Sequence, residues 1–190
     1  MSQTSIIITT YNNPAWLEKV LWSFSCQTRK DFEIVIADDG STAATRELID
    51  SMREKMPFPI RHVWQEDEGF RKCRILNRAI VEATGDYLVF TDGDCIPRRD
   101  FVETHLRHRE PGSYLSGDYV RLPMDTSLAI TKDDIISGRC FELDFLIANG
   151  YPPKKISQRL KAKGLKATLL DTFSFVQANW YGNNASGWKK

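Results

Sequence analysis

Short apolar runs alternate with amphipathic segments through the first half of the chain. The runs have the length and apolar content of buried strands, and they lie at residues 5–10, 32–37, 60–64 and 86–91. The segments between them carry apolar residues three and four positions apart, which predicts helices at residues 14–27, 43–55 and 70–84. Asn13 and Pro14 are suited to cap and begin the first helix. This alternation predicts an α/β protein with a mostly parallel central sheet flanked by helices.

The second half follows a less regular pattern. It predicts helices near residues 99–109 and 132–149, a strand at 114–122 and a short basic helix around 156–163. No repeat or flexible linker separates this half from the first, so we expect both to belong to one domain.

Composition and charge narrow the class of protein. Of the 190 residues, 42% are hydrophobic and 27% charged, as in globular proteins. Lys and Arg total 26 against 25 for Asp and Glu, so no strong basic field is available and we expect no nucleic-acid partner. The four cysteines lack the spacing of a zinc site or a disulfide framework, which favours a reducing cytosol. No leader or long apolar segment is evident, so any membrane contact is expected to be peripheral or to involve sequence outside these residues.

Polar clusters follow three of the predicted strands, at the edge where open parallel sheets bind ligands. They are Thr9–Asn12, Asp38–Ser41 and Asp92–Asp94. In the last cluster, Gly93 separates two carboxylates that suit Mn²⁺ or Mg²⁺ when a substrate diphosphate completes the coordination. A solvated Asp-Gly-Asp turn is the alternative, and the strand before the cluster favours the metal site.

The other two clusters each have two interpretations. Asp38 and Asp39 fit a tight turn, with Ser41 or Thr42 capping the next helix, or a carboxylate that binds a ribose hydroxyl or a base N–H. Tyr11 fits either the core or a stacking contact with a base. Both interpretations stay open from the residues alone.

Three further groups carry candidate chemistry. Arg71, Lys72 and Arg74 begin a predicted helix, where an anion would offset their unfavourable position, although a solvated basic face is the alternative. The loop at residues 179–184 is rich in amides and aromatics, which suit sugar binding. His105 and His108 lie one helical turn apart, and we expect a solvated face there rather than zinc.

The motifs as a set resemble family 2 glycosyltransferases of the GT-A (Rossmann-like) fold. The resemblance rests on residues 7–12, 34–41, 85–90 and 92–94. It implies inverting transfer of a sugar from a nucleoside-diphosphate donor, usually UDP-linked, with Mn²⁺ or Mg²⁺ as cofactor.

The resemblance also assigns site residues. Thr9 and Tyr11 would line the base pocket, and Asn12 would be a further nucleotide-binding residue. Asp39 would bind uracil or ribose with Asp38 near it, and Asp92 would face ribose and metal. Asp94 would bind the metal. Residues 69–77 resemble the variant of this motif in sugar-polymer synthases and galactosyltransferase-like members, which implies that Lys72 or Arg71 contacts the nucleotide. The loop that begins at Tyr181 resembles the glycine loop at the donor sugar and acceptor, which assigns Gly182, Asn183 and Asn184.

The expected domain is residues 1–190, with a nucleotide-sugar half at 1–100 and an acceptor half at 101–190. The family's acidic pair holding the catalytic base does not follow the glycine loop, so we expect a truncated chain whose base lies beyond Lys190. Asp144 and Asp171 are candidates by charge alone.

The implied acceptor is a saccharide or a lipid-linked glycan of the cell surface, with the enzyme in the cytoplasm or at the inner face of the membrane. The first alternative is a sugar-nucleotide nucleotidyltransferase, whose glycine-rich basic loop is absent after the first strand. The second is a non-catalytic nucleotide-sugar-binding module.

Overall fold

A computed structural model describes residues 4–152 and 179–189. The strands are β1 (Thr4–Thr10), β2 (Glu33–Asp38), β3 (Ile60–Trp64), β4 (Tyr87–Asp92), β5 (Tyr114–Ser116) and β6 (Ala185–Trp188). The helices are α1 (Pro14–Ser25), α2 (Ala43–Arg53), α3 (Lys72–Glu82), α4 (Phe101–His108), α5 (Met124–Ala129), α6 (Lys132–Ser137) and α7 (Leu143–Ala148). A 3₁₀ turn, Arg139–Phe141, lies between the last two helices.

The six strands form one sheet in the order β3-β2-β1-β4-β6-β5. The first four are parallel, whereas β6 is antiparallel to both β4 and β5. The predicted mostly parallel sheet, with its strands separated by helices, is therefore confirmed. The carboxyl ends of β1, β2 and β4 lie side by side, since Thr10 pairs with Asp38 and Thr9 with Asp92.

Apolar side chains cover both faces of the sheet. Ile6 and Ile8 of β1 belong to a buried cluster that includes side chains of α1, α2 and α4. Ile7, which points to the other face, packs with Ile75 and Ala79 of α3. Burial on both faces explains why the central residues of β1, β2 and β4 are apolar in succession instead of alternating with polar ones.

The edge beyond β4 differs from the sequence prediction. The strand expected at residues 114–122 is limited to β5, and β6 was not predicted. Ala185–Trp188 contains no β-branched residue, so its local pattern carries little strand signal. Its pairing with β4 supplies the hydrogen bonds that hold it in the sheet.

The chain forms two compact units, one of Met1–Tyr119 with Trp180–Lys190 and one of Val120–Asn179. In the second unit, the single helix predicted at 132–149 is divided into α6 and α7. Gly138 ends α6 in the left-handed region at φ 85°, and Arg139 Nε then donates a 2.7 Å bond back to Asp134. The predicted helix at 156–163 lies outside the described residues. The single-domain prediction stays a prediction.

Strand-end side chains replace the helix caps that the sequence predicted. Neither Asn13 nor Thr42 makes a side-chain capping bond at its helix. Asn12 Oδ1 instead accepts from Thr42 N at 2.8 Å, and Asp38 Oδ1 accepts from Ser41 N at 2.8 Å. The N-terminus of α2 is thus fixed by the ends of β1 and β2, which positions the loops around the site.

Candidate functional site

A cleft of about 380 Å³ opens at the carboxyl ends of β1, β2 and β4. Six of the sequence-predicted site residues line it: Thr9, Tyr11, Asp39, Lys72, Asp92 and Asp94. The cleft position agrees with the rule that open α/β sheets bind ligands beyond the carboxyl ends of their strands.

Asp92 is the most heavily engaged carboxylate in the cleft. Its Oδ1 accepts one hydrogen bond from Thr9 Oγ1 and one from Lys72 Nζ, each at 2.5 Å. Thr9 reaches it because the two residues pair in register, and Lys72 reaches it from the first position of α3. The Lys72 and Asp92 side chains are about 30% exposed, so the ion pair faces the open cleft.

The turn after β4 requires glycine at its centre. Gly93 N donates to Thr9 O at 2.7 Å, and a Cβ on Gly93 would stand 2.8 Å from that oxygen. Cys95 N then donates to Asp92 O at 3.1 Å, which closes the turn. The turn brings the side chains of Asp92, Asp94 and Cys95 together.

These three side chains can hold a metal ion. One carboxylate oxygen from each aspartate and the Cys95 Sγ lie within 4.8 Å of one another, and no other such group occurs in residues 4–152 and 179–189. Two carboxylates beside an open cleft fit Mn²⁺ or Mg²⁺, which take further oxygen ligands from a bound diphosphate. Burial, with the neighbouring carboxylates of Asp94 and Asp92, raises the pKa of the Cys95 thiol to about 12.

Asp39 is a fixed acceptor in the floor of the cleft. It is 7% exposed; Gln65 Nε2 donates to its Oδ1 at 2.5 Å, and Arg71 N donates to its Oδ2 at 2.8 Å. The Gln65 Oε1 atom is buried and has no hydrogen-bond partner. The Asp39 carboxylate is therefore held in one orientation before any ligand arrives.

Asp38 has a different environment from its neighbour. It is fully buried, its Oδ1 accepts from Ser41 N, and its Oδ2 lies 2.8 Å from His62 Nε2. The structure does not bring Asp38 into the cleft. Of the two residues, Asp38 forms the turn that the sequence predicted, and Asp39 is the one that lines the cleft.

The structure places Tyr11 in the cleft and Asn12 outside it. Tyr11 is 52% exposed in the cleft, so it is not a core aromatic, and its hydroxyl donates to Asp67 Oδ2 at 2.9 Å. That hydrogen bond raises the pKa of Tyr11. Asn12, at φ 46°, is turned away into bonds with Ser41 Oγ and Thr42 N. Asn12 therefore shapes the loop that presents Tyr11, and it does not line the cleft.

The three cations at the start of α3 have different partners. Arg71 and Arg74 both pair with Glu68, at 2.6 and 3.1 Å. Arg71 contributes its backbone N–H to Asp39, whereas Lys72 alone of the three lines the cleft. Of the two residues that the sequence offered for a nucleotide contact, the structure places Lys72 at the site.

The glycine loop is anchored by His105, which the sequence analysis wrongly assigned to a solvated face. His105 is 6% exposed; its Nδ1 lies 2.7 Å from Ser186 Oγ and its Nε2 lies 3.0 Å from Asn184 Oδ1. Burial lowers the pKa of His105 to about 4. Asn184 Nδ2 also donates to Asp118 O, so Asn184 holds the loop in place. Gly182, Asn183 and Asn184 are not among the residues that line the cleft.

Sequence reasoning missed several residues of the site. Gln65 follows β3 directly, so the strand-end argument used for Asp39 could have found it. Cys95 adjoins Asp92 and Asp94, the aspartates of the candidate metal site. Phe70 lines the cleft with 89% of its surface exposed, and it is preceded by Gly69 at φ 85°. The sequence analysis assigned Phe70 to the start of a helix, whereas α3 begins two residues later.

Comparison with known proteins gives one family and consistent relatives. The model of "Glycosyl transferase family 2" matches residues 5–135. Validoxylamine A glucosyltransferase from Streptomyces hygroscopicus subsp. jinggangensis is 35% identical over 104 residues, or 54% of this chain and 24% of that protein. Hyaluronan synthase from Pasteurella multocida is 29% identical over 168 residues, or 88% of this chain and 16% of that protein.

A solved structure agrees with the fold. It is the mannosyltransferase PcManGT from Pyrobaculum calidifontis, in complex with GDP-Man and Mn²⁺. The match has a TM-score of 0.52 and 29% identity, and it covers 57% of this chain and 33% of that one. The chain therefore spans no more than a third of the length of any of these three proteins.

Proposed function

Because the chain belongs to glycosyltransferase family 2, we propose that its cleft binds a nucleoside-diphosphate sugar, UDP-linked, together with Mn²⁺ or Mg²⁺. The observation that carries the proposal is the juxtaposition of Asp92, Asp94 and Lys72 at the mouth of a cleft. Two carboxylates suit a divalent cation, and the ammonium suits the diphosphate that the cation would bridge. The complex of the mannosyltransferase with GDP-Man and Mn²⁺ supports this pairing of ligands.

The remaining cleft residues take roles that follow from their contacts. Asp39, fixed by Gln65 and the Arg71 N–H, accepts a hydrogen bond from the ribose or from the N–H of the base. Tyr11, exposed beside it, offers a ring on which the base stacks. Thr9 orients Asp92 through its hydroxyl.

The proposed reaction is direct displacement at the anomeric carbon, with inversion. The metal, when bound, stabilises the negative charge that develops on the departing diphosphate. Lys72 adds a second positive charge at the same group. A carboxylate must remove the proton of the acceptor hydroxyl, and we propose that residues following Lys190 supply it, which the greater length of the relatives supports. Asp144 lies in α7, in the unit of residues 120–179, and Asp171 lies outside the described residues.

The acceptor that we propose is a saccharide or a lipid-linked glycan of the cell surface, with the loop at Gly182, Asn183 and Asn184 near the donor sugar and acceptor. None of the described helices has the length and apolar content that crossing a bilayer requires. None of the four cysteines, all of which lie in the described residues, forms a disulfide, which supports a reducing compartment. We propose a cytoplasmic enzyme that meets a lipid-linked acceptor at the inner face of the membrane.

Calorimetric titration with UDP, GDP, ADP and dTDP, each with and without Mn²⁺, tests the donor site. We expect Mn²⁺-dependent binding of UDP that Asp94→Asn abolishes. Asp86→Asn is the matched control, because Asp86 is exposed at the opposite end of β4 and should leave binding unchanged. A folded protein that binds none of these nucleotides with Mn²⁺ would contradict the proposal. A second assay uses a chain that continues past Lys190 and measures the release of UDP and the formation of a glycosylated acceptor. This assay separates sugar transfer from non-catalytic binding.

A further inference from the structure

Lys72 and a divalent cation require the same carboxylate. We propose that Lys72 competes with the cation for Asp92, so that the cation binds weakly to the empty cleft and tightly once a nucleoside diphosphate draws Lys72 away. The inference rests on the proposed function, and it makes Lys72 the residue that couples the two ligands. The inference concerns the order in which the cation and the nucleotide bind, and this order depends on the contacts of Asp92.

The competition follows from the contacts of one atom. Asp92 Oδ1 already accepts from both Thr9 Oγ1 and Lys72 Nζ at 2.5 Å. A Mn²⁺ or Mg²⁺ ion binds a carboxylate oxygen at ~2.0–2.2 Å, so an ion on this oxygen would stand against the ammonium group. An ion on Oδ2 would share a carboxylate whose charge Lys72 has already neutralised. In either case the cation gains less from Asp92 while the ion pair is intact.

The surrounding charges show why a diphosphate would break the ion pair. Arg71 and Arg74, the other cations of this helix start, are engaged by Glu68, and α3 has no acidic residue in its first turn. Lys72 is thus the cation that faces the cleft. A diphosphate offers its ammonium several anionic oxygens in place of one. Once Lys72 has moved to them, Asp92 and Asp94 both become available to the cation.

The expected consequence is positive coupling between nucleotide and metal. Coupled sites in proteins change each other's affinity by factors of ~5–150, and the effect is reciprocal. UDP should therefore lower the Kd for Mn²⁺ by at least ~5-fold, and Mn²⁺ should lower the Kd for UDP by the same factor. The coupling should depend on the charge at position 72.

The test follows the spectrum of free Mn²⁺ by electron paramagnetic resonance in titrations of the protein with and without UDP. We expect Lys72→Met to bind Mn²⁺ at least ~5-fold more tightly than the wild type without UDP, because Asp92 is then unoccupied. We expect UDP to strengthen Mn²⁺ binding less in this variant than in the wild type, because only the ligands from the diphosphate then contribute to the effect. Arg74→Met is the matched control: it removes an equal charge from the same helical turn, but Arg74 pairs with Glu68 and does not line the cleft.

Two results would overturn the inference. One is a Mn²⁺ affinity of Lys72→Met, without UDP, that equals that of Arg74→Met; the other is an effect of UDP on Mn²⁺ binding that is as large in Lys72→Met as in the wild type. Failure of the proposed function gives a different result, in which the wild type binds no nucleotide although Lys72→Met still binds Mn²⁺ more tightly. Thermal unfolding of each variant confirms that the compared proteins are folded.

Discussion

His105 Nδ1 lies 2.7 Å from Ser186 Oγ, and this contact joins helix α4 to strand β6 across 81 positions of the sequence. Ser186 in turn lies 2.7 Å from the Tyr87 hydroxyl of β4. A buried histidine therefore links the strand that ends in the candidate metal-binding turn to the strand that follows the loop at residues 181–184.

Acid should weaken this link. In the folded protein the pKa of His105 is lowered to about 4, whereas in the unfolded chain it returns to ~6.5. Below pH 6.5 the unfolded chain takes up a proton that the folded protein does not, so stability falls with pH until the folded pKa is reached. We expect His105 to account for a loss of about 2 kcal/mol between pH 7.5 and pH 5. Urea unfolding at both pH values measures it.

His105→Gln should remove most of this pH dependence while lowering stability at pH 7.5. His108→Gln is the control, since His108 is exposed one turn away on the same helix. An equal response of the two variants to acid would assign the effect to another group.

Asp38 and Asp39 should have different roles, the first in stability and the second in UDP binding. Asp38→Asn should lower the free energy of unfolding by about 2 kcal/mol, because the buried carboxylate bonds to Ser41 N and contacts His62. Asp39→Asn should lower UDP affinity at least ~10-fold with a smaller change in stability, since the amide removes the charge and replaces one acceptor oxygen in the cleft with a donor. Chemical unfolding and UDP titration of both variants test the contrast. A stronger effect of Asp38→Asn on UDP binding in a fully folded protein would reverse the assignment.

Gly93→Ala should damage the metal site and the fold together. The added carbon would lie 2.8 Å from Thr9 O, so β1 and the turn after β4 must separate, at a cost of ~1–3 kcal/mol. Mn²⁺ affinity should fall because Asp92 and Asp94 move with the turn. The control is Gly187→Ala in β6, where the added carbon meets atoms at 3.7 Å or more. Unchanged Mn²⁺ binding by Gly93→Ala would show that the turn tolerates the displacement.

Glu33 should stabilise the far end of the sheet without affecting the site. Burial raises its pKa, but hydrogen bonds from Ser5 and Thr84, with the charge of Arg61, outweigh that effect and hold the pKa below its usual value. Stability from the carboxylate is thus present at neutral pH and is lost as the pH falls through the folded pKa. We expect Glu33→Gln to cost about 2 kcal/mol at pH 7 and progressively less in acid. UDP titration should give the wild-type affinity; a large loss of binding would contradict this separation.

The local sequence pattern was sufficient to predict those elements whose own apolar residues mark them as buried. β1, with Ile6, Ile7 and Ile8, and the stripe of Leu17, Val20 and Leu21 in α1 are apolar enough to be recognised alone. The strand-end rule then placed Asp39, Asp92 and Asp94 in one cleft before any contact was known.

Local pattern failed where distant residues decide the outcome. His105 is buried because Ser186 and Asn184 satisfy its nitrogens, and neither lies near it in sequence. The strand β6 exists because β4 has an unpaired edge, which the residues of β6 do not reveal. Asp38 and Asp39 are chemically identical and adjacent, and only their positions at the end of β2 separate the buried turn from the ligand position.

The antiparallel pairing of β5 and β6 determines where a segment from another protein can be grafted into this chain. Ser116 pairs with Ala185, and Gly117 N donates to Asn184 O at 2.8 Å, so the chain leaves the sheet and returns to it at neighbouring points. Everything between residues 120 and 179 is therefore an insertion between two strands that lie ~5 Å apart. A graft between the ends of these two strands, whether shorter, longer or taken from another sequence, has only that gap to span, and the six strands of the sheet keep their order.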